Sequence, residues 1–234
     1  MTNDVGDARD MDEMNEMDEV KTDEAKAGEP AAGEVRRTKA QERAERQRDR
    51  VLEAAKRCFV EHGFHAASMA NIAEAAHMSP GLIYRYFENK SSIILAIIER
   101  QLQESRAGID ALDHGTDMAA RLAEVFAKLQ AVDEEFMNPS LYLEMSAQAS
   151  RDPQIAAALT RSDQETRAGL GAWHERVARR ESRHLDAQEI EGRALVMQCL
   201  FEGLVVRAVR EPDLDPALMA RGLHLLIPHV QRSA

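Results

Sequence analysis

The segment SMANIAEAAHMSPGLIYRYFENKSSIILAII (residues 68–98) contains three separate signals for the start of a helix. Ser68, Ser79 and Asn89 have side chains that cap the first turn of a helix, and each precedes an apolar helical pattern. The short distances between the three residues leave room for two short helices, and the isoleucines after Asn89 indicate a long one. The segment therefore predicts three consecutive helices.

The two short helices are joined by a tight turn at His77 and Met78, an arrangement typical of a helix-turn-helix. In that motif the second helix enters the major groove of DNA by its N-terminal end. We expect this helix to run from about Pro80, whose missing N–H costs nothing at the first helical position, to Phe87. Gly81 has no side chain, which permits close approach of the backbone to a duplex.

The second short helix also carries side chains that suit phosphate groups. Tyr84 and Tyr86 offer hydroxyl groups to phosphate oxygens, and the guanidinium of Arg85 provides five donors. Lys90 begins the next helix, where its ammonium is placed to bind the same strand. Each residue alone is also compatible with a packed aromatic ring or a solvated charge. Their combination at this spacing, beside a basic segment, favours DNA binding.

Charge is unevenly distributed along this 234-residue chain, whose formal net charge is -11. Residues 1–35 carry 12 acidic and 3 basic side chains, and residues 107–234 carry 20 acidic and 14 basic ones. Residues 36–106, in contrast, carry 13 basic and 9 acidic side chains. A polyanion is therefore attracted to the middle segment and repelled by its neighbours, which gives orientation as well as attraction.

The basic run from Arg36 to Arg50 has two interpretations. Acidic residues interrupt it, so it can form a solvated helix with i,i+4 ion pairs such as Glu42 with Arg46. It can also serve as an arm that follows the phosphate backbone or enters a minor groove. We expect a mixture of the two, in which the contacts with DNA come from Arg36, Arg37 and Lys39.

The first 35 residues are highly charged and lack an apolar period, so we predict a disordered acidic tail over residues 1–35. No apolar run approaches the roughly 18 residues that a membrane-spanning helix needs, and the acidic start is unlike a secretory signal. Cys58 and Cys199 each sit in a helical pattern, which favours a reducing compartment over a disulfide framework. We therefore expect a cytoplasmic protein with no membrane partner.

Start signals recur along the rest of the chain and predict an all-α protein of about nine helices. The first helix should end at Gly63, because glycine adopts the left-handed conformation that closes a helix. Asp186 with Glu189 three residues later forms a capping box. The helix that starts at Asp152 should end near Arg180, and the helix that starts at Asp215 should end before Pro228. The predicted later starts are Thr116, Pro139, Asp152, Asp186 and Asp215.

In order and spacing, residues 50–97 resemble the TetR family of bacterial transcriptional regulators. The resemblance is carried by three stretches, RVLEAAKRCFVEHGF, SMANIAEAAHMSPGLIYRYF and NKSSII. They match the family pattern in order, which is Ala-Ala and Phe, Gly-Phe, Ser or Thr, Ile-Ala, Ser-x-Gly, Tyr-x-x-Phe and Lys. It implies an N-terminal three-helix DNA-binding domain at residues 36–92 and a larger helical domain at residues 93–234 that binds an effector and dimerises. Beyond residue 110 the resemblance rests on the order of helices alone.

The resemblance also implies roles for individual residues. Two positions depart from the family pattern. His77 replaces a turn glycine, which predicts a slightly strained turn because histidine tolerates positive φ better than most residues. Pro80 replaces a polar residue, so readout should rely on Arg85 with guanine and on apolar contact with thymine methyls. The implied phosphate contacts are Ser68, Tyr84, Tyr86 and Lys90, and the implied positions nearest base edges are Ser79, Pro80, Gly81, Leu82 and Arg85.

The last two predicted helices are apolar over more than one face, which is more than one neighbour in the same chain can bury. We therefore expect a homodimer, whose two recognition helices about 34 Å apart would read a palindromic operator in double-stranded DNA. Some of the apolar residues can instead belong to the core of one chain. The interface candidates are Leu195, Phe201, Leu204, Val205, Leu218 and Leu226.

The middle of the chain offers residues for a small-molecule effector pocket. Such a pocket needs an apolar lining with a few polar groups, which suits an aromatic or amphipathic effector whose identity the sequence does not give. Aromatic and methionine residues at helical spacing are also ordinary core residues, so both interpretations remain open. The pocket candidates are Leu122, Phe126, Phe136, Tyr142, Met145, Trp173, His174 and Met197.

Two other classes of protein compete with a regulator. One is a helical dimer that senses a ligand without binding DNA. The other is a small metal-dependent enzyme, for which Cys58, His62 and His65 are the candidate cluster. Gly63 separates the two histidines across a helix end, and the sequence offers no Gly-rich phosphate loop or paired Cys-x-x-Cys. We predict no catalytic residue, no metal and no cofactor, and the resemblance implies repression as the default.

Overall fold

The computed structural model describes residues 38–133 and 136–231. Within these ranges the chain forms nine α-helices and no strand, which confirms the predicted all-α class. The predicted acidic tail at residues 1–35 and two predicted DNA contacts, Arg36 and Arg37, lie outside the described residues. The helices are α1 (Lys39–Ala66), α2 (Met69–Ala75), α3 (Pro80–Ile83), α4 (Lys90–Asp110), α5 (Met118–Ala131), α6 (Pro139–Ala149), α7 (Pro153–Arg180), α8 (Ala187–Arg210) and α9 (Pro216–Gln231).

Helix starts follow the predicted caps closely. The side chains of Ser68, Asn89, Asp152 and Asp186 each accept a hydrogen bond from a backbone N–H in the first turn of the next helix. Each such cap stabilises its helix by about 1 kcal/mol. Two starts differ from the prediction: Ser79 precedes α3 but its side chain makes no capping hydrogen bond, and Asp117 rather than Thr116 caps α5. These caps are local in sequence, and so the sequence predicts them well.

Two predicted helix ends are wrong, and the end predicted at Gly63 is instead a break within α1, where Gly63 has φ 73° and ψ 164°. α3 ends at Ile83 rather than Phe87, because the N–H groups of Arg85 and Tyr86 bond to carbonyls three residues back, which tightens the last turn. α9 continues through Pro228 instead of stopping before it, and ends at Gln231. A proline removes one helical N–H donor, and this loss is tolerated so near the end of the helix.

The buried side chains form two apolar clusters. The first joins α1 to α4 and includes Leu141 and Met145 of α6 and Ile155 of α7. The second joins α5, α7, α8 and α9 and includes Ile109 near the end of α4. Because α4 and α7 each contribute to both clusters, these two helices link the N-terminal helices to the rest of the chain. The helix pair α2–α3 therefore rests on a framework that reaches into the C-terminal helices.

Candidate nucleic-acid interface

The turn between α2 and α3 is built on a residue with positive φ. His77 has φ 52°, its N–H donates to the Glu74 carbonyl at 2.9 Å, and the Met78 N–H donates to the Ala73 carbonyl at 2.9 Å. These two bonds are those of a Schellman motif, and Met78 is buried beneath the turn. The predicted strained turn at His77 is therefore confirmed, and it fixes the direction in which α3 leaves α2.

One side of α3 is exposed, and the other side anchors the helix. Ile83 and Phe87 are buried in the first apolar cluster, and Leu82 and Tyr86 pack partly against it while part of each side chain stays exposed. Tyr84 is 55% exposed, the largest exposed hydrophobic side chain of the segment. We call the outward side of this segment the α3 surface, which consists of Ser79, Pro80, Gly81, Tyr84 and Arg85.

Gly81 lies on this surface with open space beside it. A Cβ atom added there would meet no atom of the chain within 4 Å. The packing of this chain therefore does not require glycine at position 81. The missing side chain leaves the backbone accessible to a molecule outside the chain, as close approach to a duplex would require.

Lys90 is directed inward rather than outward. Its ammonium donates to the carbonyl oxygens of Phe64 at 2.6 Å, His65 at 3.1 Å and Ala67 at 2.6 Å. It also lies 4.7 Å from the centre of the Phe64 ring, and burial lowers the pKa of Lys90. These bonds occupy the three N–H groups of the ammonium. Lys90 therefore joins the end of α1 to the start of α4, and we do not count it among the proposed phosphate contacts.

Arginines of α1 bind the end of α2 in the same way. The Arg50 guanidinium donates to the Ala76 carbonyl at 2.6 Å, and Arg57 donates to the Ala75 carbonyl at 3.4 Å. Arg48 lies over the Phe87 ring, 4.5 Å from its centre. Cations at a helix C-terminus stabilise its unpaired carbonyls and its dipole. Part of the basic run thus orients the helix-turn-helix.

Two further predicted DNA contacts begin helices. Ser68 is exposed, but its hydroxyl donates to the Asn71 side chain within the capping box of α2. A contact from Ser68 to a phosphate oxygen therefore requires that bond to break. Lys39 is exposed in the first turn of α1, where its ammonium is free to extend outward.

A cavity of about 440 Å³ lies among α4, α5, α6, α7 and α8. Four predicted pocket residues line it, namely Leu122, Phe136, Tyr142 and Met197. The prediction is wrong for the other four, because their side chains fill the apolar interior. These are Phe126, Met145, Trp173 and His174.

The cavity also has polar lining residues that the sequence analysis missed. Asp163 and Thr166 come from α7, and Gln198 and Glu202 come from α8. Each lies in a helix whose sequence is mixed, so only the way the helices pack brings the four together. The missed signal was a helical spacing of three to four residues between polar residues inside otherwise apolar faces.

His174 is buried and belongs to the core rather than to the cavity. Its Nε2 atom has no hydrogen-bond partner, and its ring centre lies 4.7 Å from that of Trp173. Burial, followed by the charges of Arg193 and Arg183, lowers the pKa of His174 to about 4. The ring is therefore neutral near pH 7 and serves packing.

The predicted dimer residues divide into exposed and buried groups. Leu195 and Leu226 are each 43% exposed, and Leu218 is 52% exposed. Leu204 and Val205 are buried within the chain, and Phe201 lines the cavity beside Tyr142, with ring centres 6.3 Å apart. Leu204 and Val205 are therefore occupied in the core of this chain, which argues against their place in an interface, and for the partly buried Phe201 the interface role stays a prediction. Exposed residues that the prediction missed are Val196, Val209 and Leu225.

The candidate metal cluster does not assemble. Cys58 is buried, and burial raises the pKa of its thiol, which disfavours the thiolate that a metal or a nucleophile requires. His62 and His65 are exposed. Across residues 38–133 and 136–231, no group of three or more His, Cys, Asp or Glu side chains could hold a metal ion. In the same part of the chain no helix is both long and apolar enough to span a bilayer.

Comparison with known proteins relates this geometry to a family. Residues 51–97 match the bacterial regulatory proteins of the tetR family. The chain is 34% identical over 119 residues to the HTH-type transcriptional regulator UidR of Escherichia coli (strain K12), covering 51% of this chain and 60% of UidR. It is 33% identical over 142 residues to the HTH-type transcriptional activator FasR of Mycolicibacterium smegmatis, covering 60% of this chain and 64% of FasR.

The fold extends the likeness beyond the N-terminal helices. Salmonella enterica GusR has a similar structure, with a TM-score of 0.67 and 25% sequence identity over 80% of this chain and 96% of GusR. The sequence alignments with UidR and FasR, in contrast, span less than two thirds of either protein. UidR and FasR are transcriptional regulators rather than enzymes, in agreement with the prediction of no catalytic activity. Through residues 51–97 this chain thus carries the N-terminal region of the tetR family of bacterial regulatory proteins, and its described helices share the fold of GusR.

Proposed function

We propose that the protein is a homodimeric transcriptional repressor that binds a palindromic operator through its α3 surface and releases it on binding a small molecule. The observation that carries the proposal is the exposed α3 surface on a rigidly oriented helix pair. Tyr84 and Arg85 project from it, and Gly81 leaves the backbone accessible. These are the groups that bind phosphates and read the edges of guanine.

The proposed contacts divide by type. Phosphate contacts come from Tyr84, Tyr86 and the N-terminal basic residues Arg36, Arg37 and Lys39. Base contacts come from Arg85, with apolar contacts from Pro80 and Leu82 to thymine methyls. Lys90 and Arg50 act indirectly, since they hold α1, α2 and α4 in the orientation that presents α3.

Dimerisation is supported by the exposed leucines of α8 and α9. Leu195, Leu218 and Leu226 lie on helices whose opposite sides are packed in the second apolar cluster. Burial of each such side chain at an interface contributes roughly 1.5–3 kcal/mol before the costs of association. A two-fold pair of these chains presents two α3 surfaces, and therefore reads an inverted repeat.

Control by an effector is supported by contacts between the cavity-lining helices and the helix-turn-helix framework. Tyr142 lines the cavity, and Glu144 on the same helix accepts a hydrogen bond from the Phe64 N–H at 3.3 Å. At the start of α7, Asp152 accepts a hydrogen bond from Ser91 of α4 at 2.9 Å. An effector that binds one arrangement of α4, α6 and α7 more tightly shifts the population away from the DNA-binding arrangement.

The test begins with selection of bound duplexes from a random-sequence pool, followed by fluorescence anisotropy with the enriched sequence. We expect an inverted repeat and an affinity that falls steeply with salt, with a slope of about -0.9 per neutralised phosphate. Arg85→Ala should weaken binding by about 1–3 kcal/mol, and the exposed arginine variant Arg161→Ala should not. A promoter fusion then gives the sign of regulation, which matters because FasR is named an activator.

Failure to enrich any duplex would favour the competing function, a helical dimer that senses a ligand without DNA. An Arg85→Ala variant with unchanged affinity and unchanged sequence preference would exclude the α3 surface from the interface.

A further inference from the structure

The cavity has an apolar and partly aromatic wall. Phe136, Tyr142 and Phe201 line it from three different segments, together with Leu122 and Met197. Tyr142 and Phe201 meet edge to face, with ring planes at 85°. Rings in this arrangement present both faces and edges to a ligand, and aromatic faces attract cations as well as apolar groups. The wall therefore suits a ligand with an apolar body.

The charged residues in the lining are mostly acidic. Glu104 of α4, Asp163 of α7 and Glu202 of α8 line the cavity, and among the described lining residues Arg121 is the one basic side chain. The Arg121 guanidinium donates to Glu124 at 2.8 Å, so its charge is already paired. Glu104 is likewise paired, with Arg100 at 3.3 Å, so the excess of negative charge in the described lining comes from Asp163 and Glu202.

Asp163 is close enough to Glu202 to raise the pKa of the Glu202 carboxyl. Burial raises the pKa of Asp163, and burial followed by the charge of Asp163 raises that of Glu202. Arg167 lowers both pKa values in part, although its Nε donates to Gln198 at 2.8 Å. Burial and then both carboxylates raise the pKa of Tyr142. Keeping both carboxylates ionised therefore costs free energy, and a positively charged ligand would reduce that cost.

We propose that this cavity binds an organic cation with an apolar or aromatic body, such as a hydrophobic amine or a quaternary ammonium. Its positive group lies between the carboxylates of Asp163 and Glu202, beside the Tyr142 ring, and its body lies against Phe136 and Phe201. The role of this cation as the effector rests on the proposed function, in which binding of a small molecule releases the operator.

The test compares ligands of the same shape and different charge by isothermal titration calorimetry, on the full-length protein without DNA. Tetraphenylphosphonium and tetraphenylborate are one pair, and benzyltrimethylammonium and neutral neopentylbenzene are a smaller pair. We expect the cation of at least one pair to bind at least about tenfold more tightly than its partner. Equal or tighter binding by the uncharged or anionic partners, or no binding by either cation, would overturn the proposal.

Isosteric variants locate the binding site. Asp163→Asn and Glu202→Gln should each weaken cation binding by about tenfold and leave the weak binding of the uncharged partner unchanged. Glu191→Gln, an exposed carboxylate on the same helix as Glu202 and outside the cavity, is the matched control. Both cavity variants should melt at or above the temperature of the wild type, because each removes a carboxylate whose raised pKa shows that its ionised form is disfavoured in the folded chain. Unchanged cation affinity in both would place the cation elsewhere and overturn the assignment.

A parallel anisotropy titration separates this inference from the proposed function. DNA binding without any preference for cations would leave the regulator proposal standing and overturn the inference. Cation binding at Asp163 and Glu202 by a protein that binds no DNA would support the inference and overturn the regulator proposal.

Discussion

Individual cations in this chain act in two different ways that the sequence does not distinguish. Arg85 is exposed on the α3 surface, whereas Lys90, five residues later, donates to three backbone carbonyls. The same long side chain can reach outward to phosphate or inward to a helix C-terminus. The Lys90 side chain points inward because the end of α1 lies next to the start of α4, and this proximity is not visible in the sequence.

Replacement of Lys90 should therefore affect stability. We expect Lys90→Ala to lower the free energy of unfolding by about 2 kcal/mol, because hydrogen bonds from a charged donor to buried carbonyls are lost. Urea denaturation measures this change. Lys56→Ala, which removes a lysine paired only with Glu53 on the surface of α1, should change stability by less than about 1 kcal/mol. A fully stable Lys90→Ala variant would contradict the role given to Lys90.

Val132 occupies a backbone conformation that a β-branched residue rarely adopts. It has φ 50° and ψ 49° at the end of α5, and its side chain is 51% exposed. We expect Val132→Gly to raise the free energy of unfolding by about 1 kcal/mol, because the strain relieved exceeds the small loss of packing. Ser182→Gly, at φ 56° with an unbranched side chain, should give a smaller gain. Destabilisation by Val132→Gly, in urea denaturation, would mean that the Val132 packing outweighs the strain.

Buried His174 should make stability depend on pH. Its pKa is about 4 in the folded chain and 6.5 ordinarily, so the unfolded chain binds the proton more readily between these values. The stabilisation from neutral His174 is complete above about pH 6.5 and is lost as pH falls towards 4. When the pH is lowered from 7 to 4.5, the free energy of unfolding of the wild type should fall by about 2 kcal/mol more than that of His174→Phe.

Urea denaturation at the two pH values measures that difference, and the exposed His184→Gln variant serves as the control. If His174→Phe and the wild type lose stability in parallel, the histidine is not neutral and buried as described.

At the scale of elements, helix starts were predictable and helix faces were not. Ser68, Asn89, Asp152 and Asp186 cap their own next turn, so the information lies within three residues. Which side of α8 faces inward depends on packing against α5 and α7. Leu204 and Leu195 are both leucines on one helix, yet one is buried and the other exposed.

The same limit explains the candidate pocket. Residues with apolar or aromatic side chains fill the core and line the cavity alike, so Trp173 and Tyr142 were equally good candidates from sequence. Their positions differ because Trp173 faces the α5–α8 interior, where its ring N–H donates to the Asp113 carbonyl at 3.0 Å. The polar lining, in contrast, arises only when α7 and α8 pack together.

The exposed faces of α8 and α9 should form the dimer. Leu225 is 75% exposed, the most exposed of the large hydrophobic side chains described. We expect Leu225→Glu combined with Leu195→Glu to convert the dimer to a folded monomer, because two charges would be buried at the interface. Sedimentation velocity measures the mass. Val60→Glu, on a 41% exposed residue of α1, should remain dimeric, and a dimer that survives the double change would exclude this interface.

At the scale of the whole molecule, the chain separates its charges by function. The acidic residues outnumber the basic ones overall, but the basic excess lies between residues 36 and 106. An overall negative protein with one basic segment approaches DNA in one orientation. The α3 surface lies in that segment, while the cavity, with its excess of carboxylates, is lined mostly by residues that follow it.

The proposed function depends most on direct contact between the α3 surface and DNA. The most direct measurement is photocrosslinking, with p-benzoylphenylalanine in place of Tyr84 and the selected operator as the target. We expect a covalent protein–DNA adduct on irradiation, and none from the same photoreactive residue in place of Arg161, which is exposed on α7. An operator-bound protein that gives no adduct from position 84 would contradict the account.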